Sequence, residues 1–249
     1  MTRFLAALQF LTIIAVPWRR EVKADEIGRS AGYFPVIGLI IGLILVGLNW
    51  IFGLLLPPVV ANVLLLAFLA VISGAMHLDG FADTCDGLVG HKTVEERWQV
   101  MRDSRAGAYG IVGVVLILLV KYVSLSSIPA DLMMMTLILM PVIGRWTMTY
   151  AIFAYPYARP SGLGKSFKQG TTWPRFTLAT VIAVAVVAVI GQLIGLAVLL
   201  LVWLVTVVIA AYFKSRFQGL TGDNYGAINE VAEVSVLIFI TILVQFGLA

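Results

Sequence analysis

An all-α, polytopic membrane helical bundle is the fold that this sequence predicts, and three observations predict it. The 249 residues are 61% hydrophobic and only 12% charged, with a mean hydropathy of +1.01. A soluble domain is about 45–50% apolar and about 25% charged. About seven segments approach the roughly 20 apolar residues that a spanning helix needs. Finally, the connections between them alternate between basic and bare, as the orientation of membrane loops requires. Residues 1–249 are read as a single integral-membrane catalytic domain.

The apolar run at residues 2–16 is too short for a comfortable span. It reads as an interfacial or re-entrant helix rather than an eighth crossing. No cleavable leader is expected, because no small-residue cleavage site precedes Trp18-Arg19-Arg20. Spans follow at about 33–56, 59–76, 110–128, 132–154, 176–192, 194–213 and 233–249. Pro57-Pro58 ends the first of these, since proline lacks the N–H a helix interior needs. Pro129 marks the turn before the fourth, and Gly191 to Gly195 the reversal between the fifth and sixth.

All of the 17 Lys and Arg except Arg3, Lys121 and Arg145 fall in four connections. These hold Arg19, Arg20, Lys23 and Arg29; Lys92, Arg97, Arg102 and Arg105; Arg159, Lys165, Lys168 and Arg175; and Lys214 with Arg216. The tight turns between them carry none, which places the basic loops in the cytoplasm. Lys121 lies near the outer end of its helix and is expected to snorkel. All of the 13 Asp and Glu except Asp131 lie on the basic side. Acidic residues contribute little to topology, so their clustering calls for another cause. The single Cys85 excludes an internal disulfide. A net charge of +4 reports loop orientation and implies no nucleic-acid partner.

The densest chemical signal is His77-Leu78-Asp79-Gly80-Phe81-Ala82-Asp83-Thr84-Cys85-Asp86-Gly87. Its aspartates at i, i+4 and i+7 share one face of a helix. Carboxylates that close repel one another unless a cation intervenes, and an oxygen-only donor set suits Mg²⁺, or Mn²⁺. His77 points to the opposite side and is a weaker ligand. A second run, Arg102-Asp103-Ser104-Arg105-Ala106-Gly107-Ala108-Tyr109-Gly110, adds a carboxylate, two guanidinium forks suited to phosphate, and glycines that let backbone approach it. A third, Ala158-Arg159-Pro160-Ser161-Gly162-Leu163-Gly164-Lys165, resembles a phosphate loop but lacks Walker A spacing. In the fourth, Thr221 to Glu230, Asp223, Asn229 and Glu230 complete a polar cavity, or Thr221 or Asp223 caps a helix. Arg145 lies inside an apolar span, where a buried Arg needs a polar cavity or a carboxylate partner, and it is expected to point toward the aspartate cluster.

At these four runs the chain resembles the cobalamin synthase family, also called adenosylcobinamide-GDP ribazoletransferases. The family's HxDGxxDTxDG stands here as His77, Asp79, Gly80, Asp83, Thr84, Asp86 and Gly87; the other three motifs follow in order. The resemblance implies joining of α-ribazole, or its 5′-phosphate, to adenosylcobinamide-GDP with release of GMP, in a Mg²⁺-dependent step of vitamin B12 assembly at the bacterial inner membrane, facing the cytoplasm. The chemistry of the residues then suggests their roles in such a reaction. Asp79, Asp83, Asp86 and Asp103 bind metal, and Asp83 or Asp86 takes the hydroxyl proton. Arg102 and Arg105, with Arg159 or Lys165, hold the pyrophosphate. His77, Ser104, Gly107, Gly110, Arg145, Asp223 and Glu230 line the substrate site. A homo-oligomer, or association with other corrinoid-pathway enzymes, is left open.

Two other classes compete. A CDP-alcohol phosphotransferase needs D-G-x2-A-R after its first aspartate, but Leu88-Val89-Gly90-His91 follow Gly87. A small-solute transporter places its site at the bilayer midplane on broken helices, whereas the charges here gather toward one face.

Overall fold

Helix α1 (Thr2–Leu11) is ten residues long, about 15 Å at 1.5 Å per residue. It cannot cross a hydrocarbon core of about 30 Å. The computed structural model describes residues 2–15, 24–90, 93–103 and 105–248. Ala6, Ala7 and Leu11 of α1 are buried, and Phe10 lies 6.1 Å from Phe34 and 4.6 Å from Phe167, ring centre to ring centre. Short α2 (Ala24–Gly28) and a 3₁₀ turn at Ala31–Tyr33 lead into α3 (Phe34–Leu55), which carries Pro35 in its first turn, where the missing N–H has no partner to lose.

Pro57 and Pro58 then open α4 (Pro58–Ile72), and the chain bends by 86° into α5 (Met76–Leu88). A capping box between Thr93 and Glu96 starts α6 (Val94–Val100). The remaining helices are α7 (Ala108–Ser126), α8 (Ala130–Ala154), α9 (Leu163–Gly170), α10 (Trp173–Phe217) and α11 (Gly222–Gln245). No strand occurs among the described residues, only a single parallel bridge between Tyr157 and Leu220.

Five helices are long and apolar enough to cross a membrane, or six if the bent α4–α5 pair is counted as one span. The expected count was about seven. The difference lies in α10, whose two expected spans form one 45-residue element broken at Gln192 (φ 48, ψ −137). The chain reverses there. A Cβ on Gly195 would stand 2.9 Å from the Val187 carbonyl oxygen, yet eight residues of straight helix would separate the two by about 12 Å. Likewise Tyr150 touches both Phe176 at 6.3 Å and Trp203 at 6.1 Å.

Helix α8 is the central post: 83% of its most apolar stretch is buried, against 22% for α7. The outer helices turn Trp50, Leu54, Val115, Leu119, Val189 and Val208 outward. Apolar side chains on the outside and polar ones at the centre are what a multi-pass membrane bundle requires. The last span differs from expectation, since α11 begins at Gly222 rather than near 233. Its polar first turns are kept helical by a capping box between Thr221 and Asn224 and by burial against α5.

Candidate active site

Gly74 (φ 61) and Ala75 (φ 53) make the left-handed turn that swings α5 out of line with α4. Helix α5 thereby lies across the N-terminal ends of α7 and α11. A Cβ at Gly80 would meet the Asp223 carbonyl oxygen at 2.8 Å, so only glycine permits this approach. The Asn224 side-chain amide donates to Thr84 Oγ1 at 3.1 Å. At the other end of α5, buried Arg97 donates to the Gly87 and Leu88 carbonyls and closes the helix.

The three aspartates of α5 do not act alike. The Asp86 carboxylate accepts the backbone N–H of Gly107 at 2.9 Å and of Gly110 at 2.8 Å. It occupies the anion site at the N-terminus of α7. A Cβ on either glycine would collide with that carboxylate. Gly107 and Gly110, expected to approach substrate phosphate, instead serve this anchor, and Asp86 is spent on it. Asp103 is likewise engaged: Arg105 donates to it at 2.7 Å from a guanidinium nitrogen. Both side chains are open to solvent, at 87% for Arg105 and 38% for Asp103. Arg105 holds the Asp103 carboxyl down to about 2. Ser104 lies outside the described residues.

Asp79, Asp83 and Asp223 remain, and they feel one another's charge. Partial burial, and then the charges of Asp223, Asp79 and Asp86, push the Asp83 carboxyl up to about 7, with Arg159 acting against them. Arg159 donates to Asp223 at 2.8 Å. Among the described residues no three His, Cys, Asp or Glu side chains already stand at metal-binding geometry. The expected set of four aspartates is thus not assembled at one cavity: Asp79 lines one, Asp86 and Asp103 line another, and Asp83 lines neither.

All four sequence motifs meet at one cavity of about 530 Å³. The first contributes His77, Asp79 and Gly80, the second Arg102, the third Arg159 and Ser161 to Gly164, and the fourth Gly222, Asp223, Tyr225 and Gly226. Lys165 does not reach it; its ammonium donates to the Pro160 carbonyl at 2.7 Å. Asp86, Asp103, Arg105 and Gly107 line a separate open groove together with Val89 and Gly90, just past the C-terminal end of α5.

A second charged cluster lies inside the bundle. Lys121, expected to snorkel, is 3% exposed, and its ammonium donates to Glu230 and Glu233 at 2.6 Å each. Arg145 is fully buried and donates to Glu233 at 2.8 Å. It meets a carboxylate, but one on α11 rather than in the aspartate cluster. Glu230 likewise faces Lys121 instead of the substrate cavity. Asn229 also donates to Glu233, at 3.0 Å. Two cations answer two carboxylates, around a void of about 10 Å³, which holds no more than one water. Sequence reading missed this network and the aromatic residues of the cavity, Phe10, Phe34, Tyr157, Phe167 and Tyr225. Glu230 and Glu233, three apart in an apolar helix, were the available signal: two such carboxylates on one helix face require cations from neighbouring helices.

The sequence model of the family described as Cobalamin-5-phosphate synthase matches residues 3–241. The chain is 38% identical over 236 residues to an adenosylcobinamide-GDP ribazoletransferase of Roseiflexus sp. (strain RS-1), covering 95% of this chain and 88% of that protein. It is 37% identical to the protein of the same name from Geotalea daltonii (strain DSM 22248 / JCM 15807 / FRC-32), covering 94% of each. A third, from Thermoanaerobacter pseudethanolicus (strain ATCC 33223 / 39E), is 34% identical and covered to 95% on both sides. No solved structure matches.

Proposed function

Since the chain belongs to the Cobalamin-5-phosphate synthase family, we propose that it joins α-ribazole, or α-ribazole 5′-phosphate, to adenosylcobinamide-GDP and releases GMP. The observation that carries this reading is the meeting of all four motifs at one cavity, where Asp79 and Asp223 stand with Arg102 and Arg159. That is a donor and acceptor set for a pyrophosphate and a hydroxyl.

A ribose hydroxyl oxygen attacks the phosphorus that stays with cobinamide. The new P–O bond forms as the bond to GMP breaks, and GMP leaves with the electron pair. Arg159 and Arg102 bind the pyrophosphate, where a planar guanidinium fork contacts two oxygens at once. Asp86 is held by two N–H groups, which leaves Asp83 to accept the hydroxyl proton. A carboxyl raised to about 7 is well matched to proton transfer near neutral pH.

The donor set also fits Mg²⁺, with Mn²⁺ as a substitute. Asp79 and Asp223 would hold it, since this small hard ion is commonly taken by one or two carboxylates together with substrate phosphates rather than by a preassembled cage. A bound Mg²⁺ would neutralise charge on the pyrophosphate. The inner-membrane placement with the cavity toward the cytoplasm draws on the cations at the cavity end of the bundle. Arg102 and Arg159 line the cavity, and the reversal at Gln192 returns Lys214 and Arg216 to the end at which Arg175 begins α10. The transporter reading loses its footing, because the charges inside the bundle neutralise one another around a void too small for a solute.

Purified protein in nanodiscs, given adenosylcobinamide-GDP, α-ribazole and Mg²⁺, is expected to release GMP only when both substrates are present. GMP release without α-ribazole, or none with both, would reject the reaction.

A further inference from the structure

The cavity has two unlike ends. Asp79, Arg102, Arg159 and Asp223 make one of them polar. The other is closed by Phe10, Phe34 and Phe167, whose rings lie 4.6–6.1 Å apart, together with Met76, Met148 and Ile152. Tyr157 and Tyr225 form a second aromatic wall, 6.4 Å between ring centres. Within this wall the deeply buried Tyr225 hydroxyl has no partner among the described residues. Its residue is 3% exposed. Buried polar atoms normally find a hydrogen bond, so an orphan hydroxyl in a cavity wall points to a ligand that supplies one.

We propose that this cavity is the seat of the benzimidazole nucleoside, and that the corrinoid and the guanosine stay outside it. The inference rests on the reaction proposed above. A volume of about 530 Å³ is that of a site enclosing a drug-sized molecule. A nucleoside has that size, and an adenosylated corrinoid is several times larger. Between the two nucleosides of the reaction, the wall chemistry decides. Guanine carries donors and acceptors around its edge and would leave most of them unpaired against phenylalanine, methionine and isoleucine. Burying such a group without a partner is unfavourable. Dimethylbenzimidazole is flat and apolar, and its ribose supplies the hydrogen-bond partner that the Tyr225 hydroxyl lacks. The base sits at the phenylalanine end, and the ribose points to Asp79, Asp223 and the pyrophosphate at the polar end.

Two variants test this. Tyr225→Phe removes a hydroxyl that has no partner in the empty cavity, so the ligand-free melting temperature is expected to hold or rise, while α-ribazole binds about five-fold more weakly, the loss of one neutral hydrogen bond. Phe10→Ala removes a ring from the wall and is expected to weaken α-ribazole binding about tenfold, as loss of a stacking partner does; Phe10→Leu, which preserves apolar bulk, guards against a folding defect. Calorimetry with α-ribazole alone reads both affinities without turnover. In the coupled assay the KM for α-ribazole is expected to rise and that for adenosylcobinamide-GDP to stay. Unchanged α-ribazole affinity in both variants, or GMP displacing α-ribazole competitively, would overturn the assignment even in an active enzyme. Variant-sensitive α-ribazole binding by a protein that releases no GMP would contradict the reaction and leave the subsite standing.

Discussion

Two groups of charges lie within this bundle, and they are built on opposite plans. The network of Lys121, Arg145, Glu230 and Glu233 is buried, neutral in sum and tied by hydrogen bonds of 2.6–2.8 Å, with Arg145 Nε and Nη2 left without a partner among the described residues. The carboxylates Asp79, Asp83 and Asp223 stand together at the end of the bundle with Arg159 as the close cation, and burial, reinforced by the neighbouring carboxylates, raises Asp83 to about 7. A balanced cluster fixes helix positions; an unbalanced one is left ready for a ligand. Residue type alone does not separate the two.

That contrast can be broken at several points. The largest expected effect is on the balanced side. Lys121→Met leaves two buried carboxylates short of a cation and is expected to cost about 3–5 kcal/mol, read as loss of folded protein and of melting temperature in detergent. Adding Glu230→Gln is expected to restore part of the loss, since Glu233 keeps Arg145; no recovery in the double variant would mean that the pair is not coupled. On the unbalanced side, Mg²⁺ at a hundred times its dissociation constant is expected to stabilise the protein by about 2.7 kcal/mol. Asp79→Asn should abolish that gain, and an undiminished shift would remove Asp79 from the ion site.

Asp86→Ala, which frees two N–H groups at the start of α7, is expected to cost about 1.5–3 kcal/mol; a thermal melt like the native protein's would deny it the anchoring role. The smallest effect is on pH. Asp83 titrates above its ordinary value of 3.8, so its ionisation opposes folding. Stability without divalent ions is fully present below the ordinary value and declines as pH rises through about 7. Added Mg²⁺ should flatten the decline, and a melting temperature that climbs over the same interval would reverse the sign of this account.

Much of this contrast was readable in advance, and the rest failed for definable reasons. Helices α3, α7 and α8 fall within a few residues of their apolar runs because continuous hydrophobicity and flanking prolines bound them. The α5 aspartates were legible as one helix. Their division of labour was not, because Asp86 is claimed by two backbone N–H groups twenty or more residues away in sequence. The start of α11 was missed because Gly222-Asp223-Asn224 looks like loop until the capping box and the approach of Gly80 are seen. Lys121 was misjudged because snorkelling was argued from depth along one helix, while its partners sit on another.

The central claim is that the chemistry belongs to the open carboxylates. The most direct test measures GMP release by Asp83→Asn beside its melting temperature. The account predicts a fall of about 10²–10⁴-fold, the usual worth of a positioned proton acceptor, with a melting temperature held or raised because like-charge repulsion is relieved. A folded Asp83→Asn protein that releases GMP at the native rate would contradict it.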